Sequence, residues 1–455
     1  MKPKLESNSL GLMDAIIMGL AGSAPAFSLS AATVALISAV HSFAPAIMLY
    51  SALFMFGITL AFIQLNKKYT HTGASYAWVT EIFGPTVGFF TGWAVLVASA
   101  LFVATGAVPV ANSTLLLVLP QVMDSMPWVS CMAIVWITLI ALITCKGIKI
   151  ASYVQIAMML VELTVLLAII TAGSLHMMHH SAHQLSWGML NMTHFSWREF
   201  INGALIAVFL YAGWDVTFNL NEETKNARHT PGWGAFWAVL ILAGLFSMFM
   251  LIVLNVMSDV DLQKANSNIV FAVADVLFPR PWSYLAVFAV ILSTIGTIET
   301  SMLQFTRTLF AQGRDGVLHQ RYAKLHSSWN TPWVANLVIW GISVCFLLLS
   351  ACSYNANHLM KVAVNAVSFQ IAFFYSLTGF AWAWYYRLRW TTVFEFICFL
   401  CWPIVSAVFL IFIALCSIPG FDTVTLVAGV GGILMGVFPL MHNRKKRKSR
   451  GVQDQ

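Results

Sequence analysis

Charge is what this sequence has least of. Of its 455 residues only 9% are Asp, Glu, Lys or Arg, where a soluble protein carries roughly 25%. That shortage excludes a water-soluble globular chain of this length. The net charge of +7 does not make it a nucleic-acid binder, since the basic residues are scattered between apolar runs rather than gathered on one soluble face. No HExxH or comparable set of metal ligands and nucleophile lies within the apolar runs, which argues against a membrane enzyme. No repeated pore-loop signature is present, which argues against a channel. No cofactor and no metal site is expected. The first ten residues, MKPKLESNSL, are polar and the first apolar run is too long for an h-region, so no cleavable signal is expected. Seven cysteines fall in or beside apolar runs. Even Cys398 and Cys401, in FICFLCW, read as small hydrophobes rather than as a redox pair.

What the chain has is hydrophobic length. Windows of about 20 apolar residues recur, each able to cross a ~30 Å hydrocarbon layer. Twelve spans are expected, at 11–40, 44–66, 85–119, 127–145, 150–173, 200–222, 232–257, 282–311, 333–352, 357–386, 392–417 and 422–442. The first, third, eighth and tenth are long enough to need a tilt or a break. With the N-terminus in the cytoplasm and alternation thereafter, only Arg198, Lys264, Arg280 and Lys361 of the 24 Lys and Arg fall outside. That asymmetry is the positive-inside pattern. Both termini are then cytoplasmic, with 1–10 the cytoplasmic N-terminus, 174–199 an extracellular loop and 443–455 a basic tail beside the lipid headgroups.

Two of the spans are interrupted. Residues 19–28 read GLAGSAPAFS and residues 209–223 read FLYAGWDVTFNLNEE, each with glycine, proline or polar residues where a membrane helix should continue. Backbone groups freed at membrane depth are tolerated only in buried protein or along a cavity. A pair of broken segments in corresponding halves points to the binding site of a secondary transporter. Gly22, Ser23 and Ala24 at the first break are expected to offer N–H groups and a positive helix end to a carboxylate. Carbonyls between Phe209 and Ala212, with Gly213, are expected to suit an ammonium, and Phe209, Tyr211 and Trp214 to close over a ligand. Few acids lie at membrane depth: Asp14 at a helix start, Glu162, Asp215 and Glu299. An intramembrane carboxyl is a functional candidate by default. Glu162 and Asp215 are assigned to proton coupling and Glu299, two turns before Arg307, to an amine.

Three smaller features complete the reading. Residues 67–84, KKYTHTGASYAWVTEIFG, are too polar to span and read as an interfacial helix with Tyr69, Tyr76 and Trp78 at headgroup level. Gly84, Gly88 and Gly92, four apart, read as a close-packing face. His176, His179, His180, His183 and His194 crowd one outer loop. The i, i+4 pair His179 and His183 has zinc-ligand spacing, but a solvated loop is the simpler reading.

The chain resembles the amino acid–polyamine–organocation (APC) superfamily, of the amino acid permease type. The resemblance rests on TGASYAWVTEIFGP (72–85), GWDVTFNLNEETKNARHTP (213–231) and RTLFAQGRDGVLHQRYAKLHSSWNTP (307–332), in that order. It departs where the family's third glycine at the first break is Ala24, and where a proline of the family is Leu318. Glu162 stands where some proton-coupled relatives carry a lysine. The resemblance implies an all-α polytopic membrane protein with a LeuT-like 5+5 inverted repeat and discontinuous helices 1 and 6. The repeats would run 11–173 and 200–386, followed by two extra helices at 387–442. It implies a secondary carrier of an amino acid or related amine in the cytoplasmic membrane (in a bacterium, the inner one), linked to protons, with a polyamine carrier or uncoupled exchanger as the alternatives. It also suggests that Ser293 and Thr294 face Glu162, with Ser293 at the substrate site. The expected partners are that small molecule, protons and the lipid bilayer.

The charge count generates a test. In a background without reactive native cysteines, tags at residues 174–186 should react with an impermeant maleimide from outside. Tags at Lys225 or Lys446 should react only after permeabilisation. External labelling at Lys446 would overturn the orientation.

Overall fold

A chain in hydrocarbon must satisfy its own N–H and C=O groups, so the apolar runs fold as helices. The computed structural model describes residues 5–122, 125–179, 196–265, 268–351 and 356–442. The His-rich stretch at 180–195 and the basic tail at 443–455 lie outside them. The first half holds α1 (Leu12–Ser23), α2 (Pro25–Val40), α3 (Ala44–Lys68), α4 (Ser75–Phe83), α5 (Pro85–Val118), α6 (Met126–Lys146) and α7 (Ile148–His179). The second holds α8 (Trp197–Tyr211), α9 (Val216–Asn219), α10 (Thr230–Val256), α11 (Asp259–Ala265), α12 (Ile269–Leu277), α13 (Leu285–Arg314), α14 (Trp333–Ser350) and α15 (Ala356–Tyr386). Then follow α16 (Val393–Glu395), α17 (Trp402–Ser417), α18 (Thr423–Leu426) and α19 (Gly432–Leu434). A π-helical turn joins α16 to α17 and another joins α18 to α19. Among the described residues the only β pairing is an isolated bridge between Leu10 and Thr224.

Among the described residues ten stretches are long and apolar enough to cross a bilayer. The first, Leu12–Lys68, contains α1, α2 and α3. The α8–α9 pair is not among the ten, because α8 has only 15 residues before the chain breaks. Each half thus opens on a broken helix. In the first, Pro25 at the N1 position of α2 has no N–H to continue α1, and its ring disfavours helical backbone in the residue before it. Ala24 takes the left-handed conformation at φ 45°, and its N–H turns back to the carbonyls of Leu20 and Ala21. In the second, a Ser196–Glu199 capping box starts α8. α8 ends where Ala212 is extended and Gly213 adopts φ 100°, a conformation that costs glycine nothing.

α13 and α15 are buried along most of their length, while α6, α7, α14 and α17 turn leucines such as Leu142, Leu160, Leu349 and Leu415 outward. That distribution fits a bundle in which outer helices meet lipid. α7 continues through His179, so His176 and His179 are helical rather than in a loop. Gly88 and Gly92 do serve close packing, since a Cβ would collide with Thr80 at the first and with Gln312 and Tyr76 at the second, but Gly84 does not: it faces open space and sits at φ 87° in the turn between α4 and α5.

The segment carrying α4 corrects the expectation of an interfacial helix with its aromatics among headgroups. Tyr76 and Trp78 are fully buried. Trp78 packs edge-on against Phe62 and Phe218, and its indole N–H donates to the Tyr69 carbonyl at 2.7 Å. The segment is drawn inward because it latches onto the α9 region. Asn219 donates to the Thr72 carbonyl at 3.0 Å, and the Thr72 N–H donates to Glu222 at 2.9 Å. Asn221 donates to Asn66, Arg314 grips Glu222 through two nitrogens, and His71 lies 3.4 Å from Asp315. Deeper still, Arg307 and Glu223 form a two-nitrogen ion pair at 3.0 and 2.9 Å with both side chains buried. The strand-like residues Ser9 and Leu10 add backbone bonds to Glu223 and Lys225. This whole end of the molecule is closed by polar interlocking.

Removing one partner of a buried ion pair strands the other charge and costs about 3–5 kcal/mol. Arg307→Met should therefore lower the melting temperature in detergent sharply, and Arg307→Met/Glu223→Gln should restore most of it. A double variant no more stable than the single one would contradict this account. Burial opposes ionisation of Glu222, but Arg314, the Thr72 N–H and His71 outweigh it and hold the carboxyl below its ordinary range. A depressed folded value means stability present above the unfolded carboxylate's value and lost as pH falls through the folded one. Glu222→Gln should flatten that acid loss.

Candidate functional site

The two breaks touch. A Cβ on Gly22 would fall on the Gly213 carbonyl group, its carbon 2.8 Å away. A Cβ on Gly213 would fall on the Gly22 carbonyl, with the Ser23 nitrogen at 3.0 Å. Only two glycines let the backbones cross this closely. The groups released by the breaks are then distributed among neighbouring helices. Thr297 on α13 donates to the Gly22 carbonyl at 2.9 Å, and Ser28 donates to the Ser23 carbonyl at 2.7 Å. At the start of α2, the Ala26 N–H donates to Glu162 at 2.9 Å and the Phe27 N–H to Ser293 at 3.1 Å. Ser293 in turn donates to the same Glu162 oxygen at 2.7 Å. Glu162 and Ser293 therefore cap α2 from α7 and α13, a favourable place for an anion at a helix N-terminus.

Beside the crossing lies a cavity of about 40 Å³, lined by Gly22, Ser23, Ser28, Ala98, Ser99, Phe102, Phe209, Ala212, Gly213, Asp215, Thr297, Ser301, Gln304, Val367, Ile371 and Phe374. Among the described residues Asp215 is its one charged side chain. It accepts from the Tyr375 hydroxyl at 2.8 Å and from the Gln304 amide at 2.7 Å. Aromatic rings bound the cavity on two sides. Phe27, Phe102 and Phe209 form a triad with centroids 5.7 to 6.4 Å apart. Phe62 gathers Trp78, Trp214, Phe218 and Tyr375 at 5.2 to 5.5 Å. The second cluster stands between the cavity and the polar interlock. Beyond the first, one to three turns back along α8 and α15, lies a second cavity of about 470 Å³ whose lining includes Asn202, Leu205, Ile206, Lys361, Val364 and Asn365.

Of the residues singled out from sequence, Gly22, Ser23, Phe209, Ala212, Gly213 and Asp215 line the cavity beside the crossing. Ala24 sets the break, but its N–H stays inside the α1 terminus, so the first break offers its donors from Ala26 and Phe27 instead. The Phe209 carbonyl accepts from the Ala212 N–H. Tyr211 points its hydroxyl to the Met48 carbonyl at 3.1 Å, and Trp214 joins the ring cluster around Phe62. Glu162 and Ser293 meet each other as the resemblance implied, outside the cavity lining. Glu299 does not reach the cavity either, and Arg307 two turns on is taken by Glu223. Sequence reasoning passed over Thr297, Ser301 and Gln304, although their i, i+4, i+7 spacing marks a polar stripe on an apolar helix. Phe102, Phe374 and Tyr375 carry no local signal of their place. Among the described residues no group of three or more His, Cys, Asp or Glu could hold a metal ion.

Three comparisons bear on this arrangement. The serine/threonine exchanger SteT of Bacillus subtilis is 22% identical over 332 residues, 71% of this chain and 70% of that one. The low-affinity putrescine importer PlaP of Escherichia coli is 26% identical over 298 residues, and the chain spans 62% of its length. A crystal structure of a mutant manganese transporter of Eremococcus coleocola superposes with a TM-score of 0.62 at 12% identity, covering 95% of this chain and 94% of that one. At that identity the likeness is one of fold: the LeuT-like helical architecture with its broken helices. Residues 10–439 match the family described as "Amino acid permease". Nearly the whole chain, both broken helices included, is covered by that match, and the protein is a member of the amino acid permease family.

Proposed function

We propose that the protein carries an amino acid or a related amine across the plasma membrane by alternating access, with movement linked to protons through Glu162. The observation that carries this reading is the cavity at the Gly22–Gly213 crossing, with one carboxylate, Asp215, exposed to it and bounded by aromatic rings. A substrate ammonium would exchange hydrogen bonds with Asp215 against Tyr375 and Gln304. The relatives' names, a serine/threonine exchanger and a putrescine importer, share the protonated amine. With both termini cytoplasmic, the polar interlock is the inner barrier and the larger cavity near Lys361 is an outer vestibule. The conformation is then closed inward and separated from outside by the phenylalanine triad.

The proton's part follows from the α2 cap. Ionised Glu162 ties α2 to α7 and α13 through Ala26 and Ser293. A protonated Glu162 loses the charge that the helix end favours, and the tie weakens. Protonation state and helix arrangement are thereby linked, by no more than their differential free energy. A second reading has its own observation. The N–H groups at the α2 start are occupied, and among the described residues no Lys, Arg or His lines the cavity. A carboxylate would meet only hydroxyls and an amide there, which favours an amine without a carboxylate.

A panel of amino acids and polyamines should contain ligands that raise the melting temperature of the purified protein, since binding the folded state stabilises it. Asp215→Asn should weaken those ligands about 10- to 100-fold, the loss of a charged hydrogen bond. Glu162→Gln should bind them with little pH dependence, exchange them, and fail to accumulate them under an imposed proton gradient. Unaltered affinity in Asp215→Asn would move the amine site. Gradient-driven accumulation by Glu162→Gln would remove the proton from that carboxyl.

A further inference from the structure

Away from the cavity, α7 and α13 share a second polar seam. On α13 the cavity-lining side chains are Thr297, Ser301 and Gln304. At 100° per residue Glu299 stands 200° from Thr297 and from Ser301, on the far side of the helix. Its own stripe is set by contacts: Ser293 bonds Glu162, Gly296 lies against the Gln155 amide, and Leu303 packs with Ile148 and Met18. Glu299 falls between Gly296 and Leu303 on that stripe, facing α7 and α1.

The seam has more acceptors than donors. Glu299 and Gln155 are each 1% exposed, and Oε1 of each is buried with no hydrogen-bond partner among the described residues. A buried acceptor without a donor costs about 1–3 kcal/mol, more for a charged group. Among the described residues the elements around Glu299 supply no free cation to balance it. Arg307 on α13 itself is held by Glu223 and by Thr306. On α7, Lys149 pairs at the surface with Glu6 of the N-terminal segment, and the other ionisable groups are Glu162, His176, His179 and the exposed Tyr153. α1 brings Asp14, α6 the exposed Lys146, and the turn after α13 the exposed Arg321. Asp215, ahead of α9, is occupied on the cavity side, α12 brings only Asp275, tied to Arg280, and α2, α5 and α14 carry no charge.

We infer that Glu299 is a second proton-binding carboxyl, in the seam between α7 and α13, where its O–H is given to the Gln155 side-chain oxygen. Rested on the transporter reading, this makes the seam a proton site distinct from the substrate cavity. The Glu299 carboxylate takes one proton from a hydronium ion of the solvent: an O–H bond forms at the carboxyl, one breaks at the hydronium, and a water molecule and a neutral carboxylic acid result. The route is marked on α7. Glu162, Gln155 and Ser152 lie on its buried face, and Ser152 donates to Asp14 at the start of α1, where water reaches the half-buried carboxyl. Two carboxyls, Glu162 and Glu299, thus lie on opposite sides of Gln155.

Infrared spectroscopy of the purified full-length protein tests this without any substrate. At neutral pH the wild type should show a protonated carboxyl C=O band. Glu299→Gln should remove it, Glu162→Gln should keep it, and Gln155→Leu should move it to higher frequency by removing its acceptor. If Glu299→Gln does not fold, the Gln155→Leu shift alone decides. A band identical in wild type, Glu299→Gln and Gln155→Leu would overturn the assignment. So would a wild type with only ionised carboxylate whose melting temperature rises with sodium but not choline chloride, and whose Glu299→Gln variant does not respond. That result would make the seam a metal-ion site. Because no readout uses a substrate, failure of the transporter reading leaves these spectra unaffected, and the reverse also holds.

Discussion

A helix broken inside a membrane leaves backbone groups that water cannot reach, and satisfying them organises this molecule. The break at Ala24 and Pro25 releases donors at Ala26 and Phe27 and acceptors at Gly22 and Ser23. Each finds a partner on a particular helix: α7 through Glu162, α13 through Ser293 and Thr297, and α2 itself through Ser28. The break at Gly213 releases the chain so that Asp215 reaches Tyr375 on α15 and Gln304 on α13. Of the helices that answer the breaks, α13 and α15 are buried along most of their length, while α7 offers Glu162 from its buried face and turns Leu160 and Leu167 outward. The cavity lies beside the crossing, lined by Gly22, Gly213 and Asp215 from the two breaks and by Thr297 and Gln304 from α13.

The two ends of the molecule are closed by different forces, and the difference matters for motion. One end holds a ring cluster around Phe62 and then an interlock of amides, carboxylates and guanidinium groups, including the buried Arg307–Glu223 pair. Opening it means exchanging well-formed bonds for water. Toward the other end, where the larger cavity near Lys361 lies, stand the phenylalanine triad and apolar side chains such as Ile206 and Val367. Rings at 5.7 to 6.4 Å separate by rotamer changes without stranding a polar group. In the proposed orientation the outer barrier is the easier to open, which suits a resting state that receives substrate from outside.

Much of this was legible in the residues. Glycine, proline and a polar side chain inside apolar runs marked both breaks, because no membrane helix continues through them without compensation. The intramembrane carboxyls stood out by their cost alone. What the sequence did not reveal was which partner each residue meets. Eight-residue spacing put Glu299 and Arg307 on one helical face, but whether that face meets the cavity or α7 is a fact of packing. Trp78 and Tyr76 looked interfacial because aromatic residues between charges usually are; the latch between Thr72 and Asn219 pulls them inside. Tyr211 and Trp214 flank the second break in sequence yet pack away from the cavity: Tyr211 stands about 200° round α8 from Phe209 and bonds Met48, and Trp214, beyond the turn at Gly213, joins the rings around Phe62. Phe102 and Phe374 lie in long apolar helices where nothing local separates a cavity-lining ring from a packed one.

The central claim is that the crossing of the two breaks is where a ligand binds. Electron cryo-microscopy of the protein with a ligand that stabilises it measures this directly. The account predicts density beside Gly22 and Gly213 with its amine within hydrogen-bonding distance of Asp215, and Phe209 in contact with it. Density confined to the cavity near Lys361, with the crossing and the Asp215–Tyr375 bond unchanged, would contradict it.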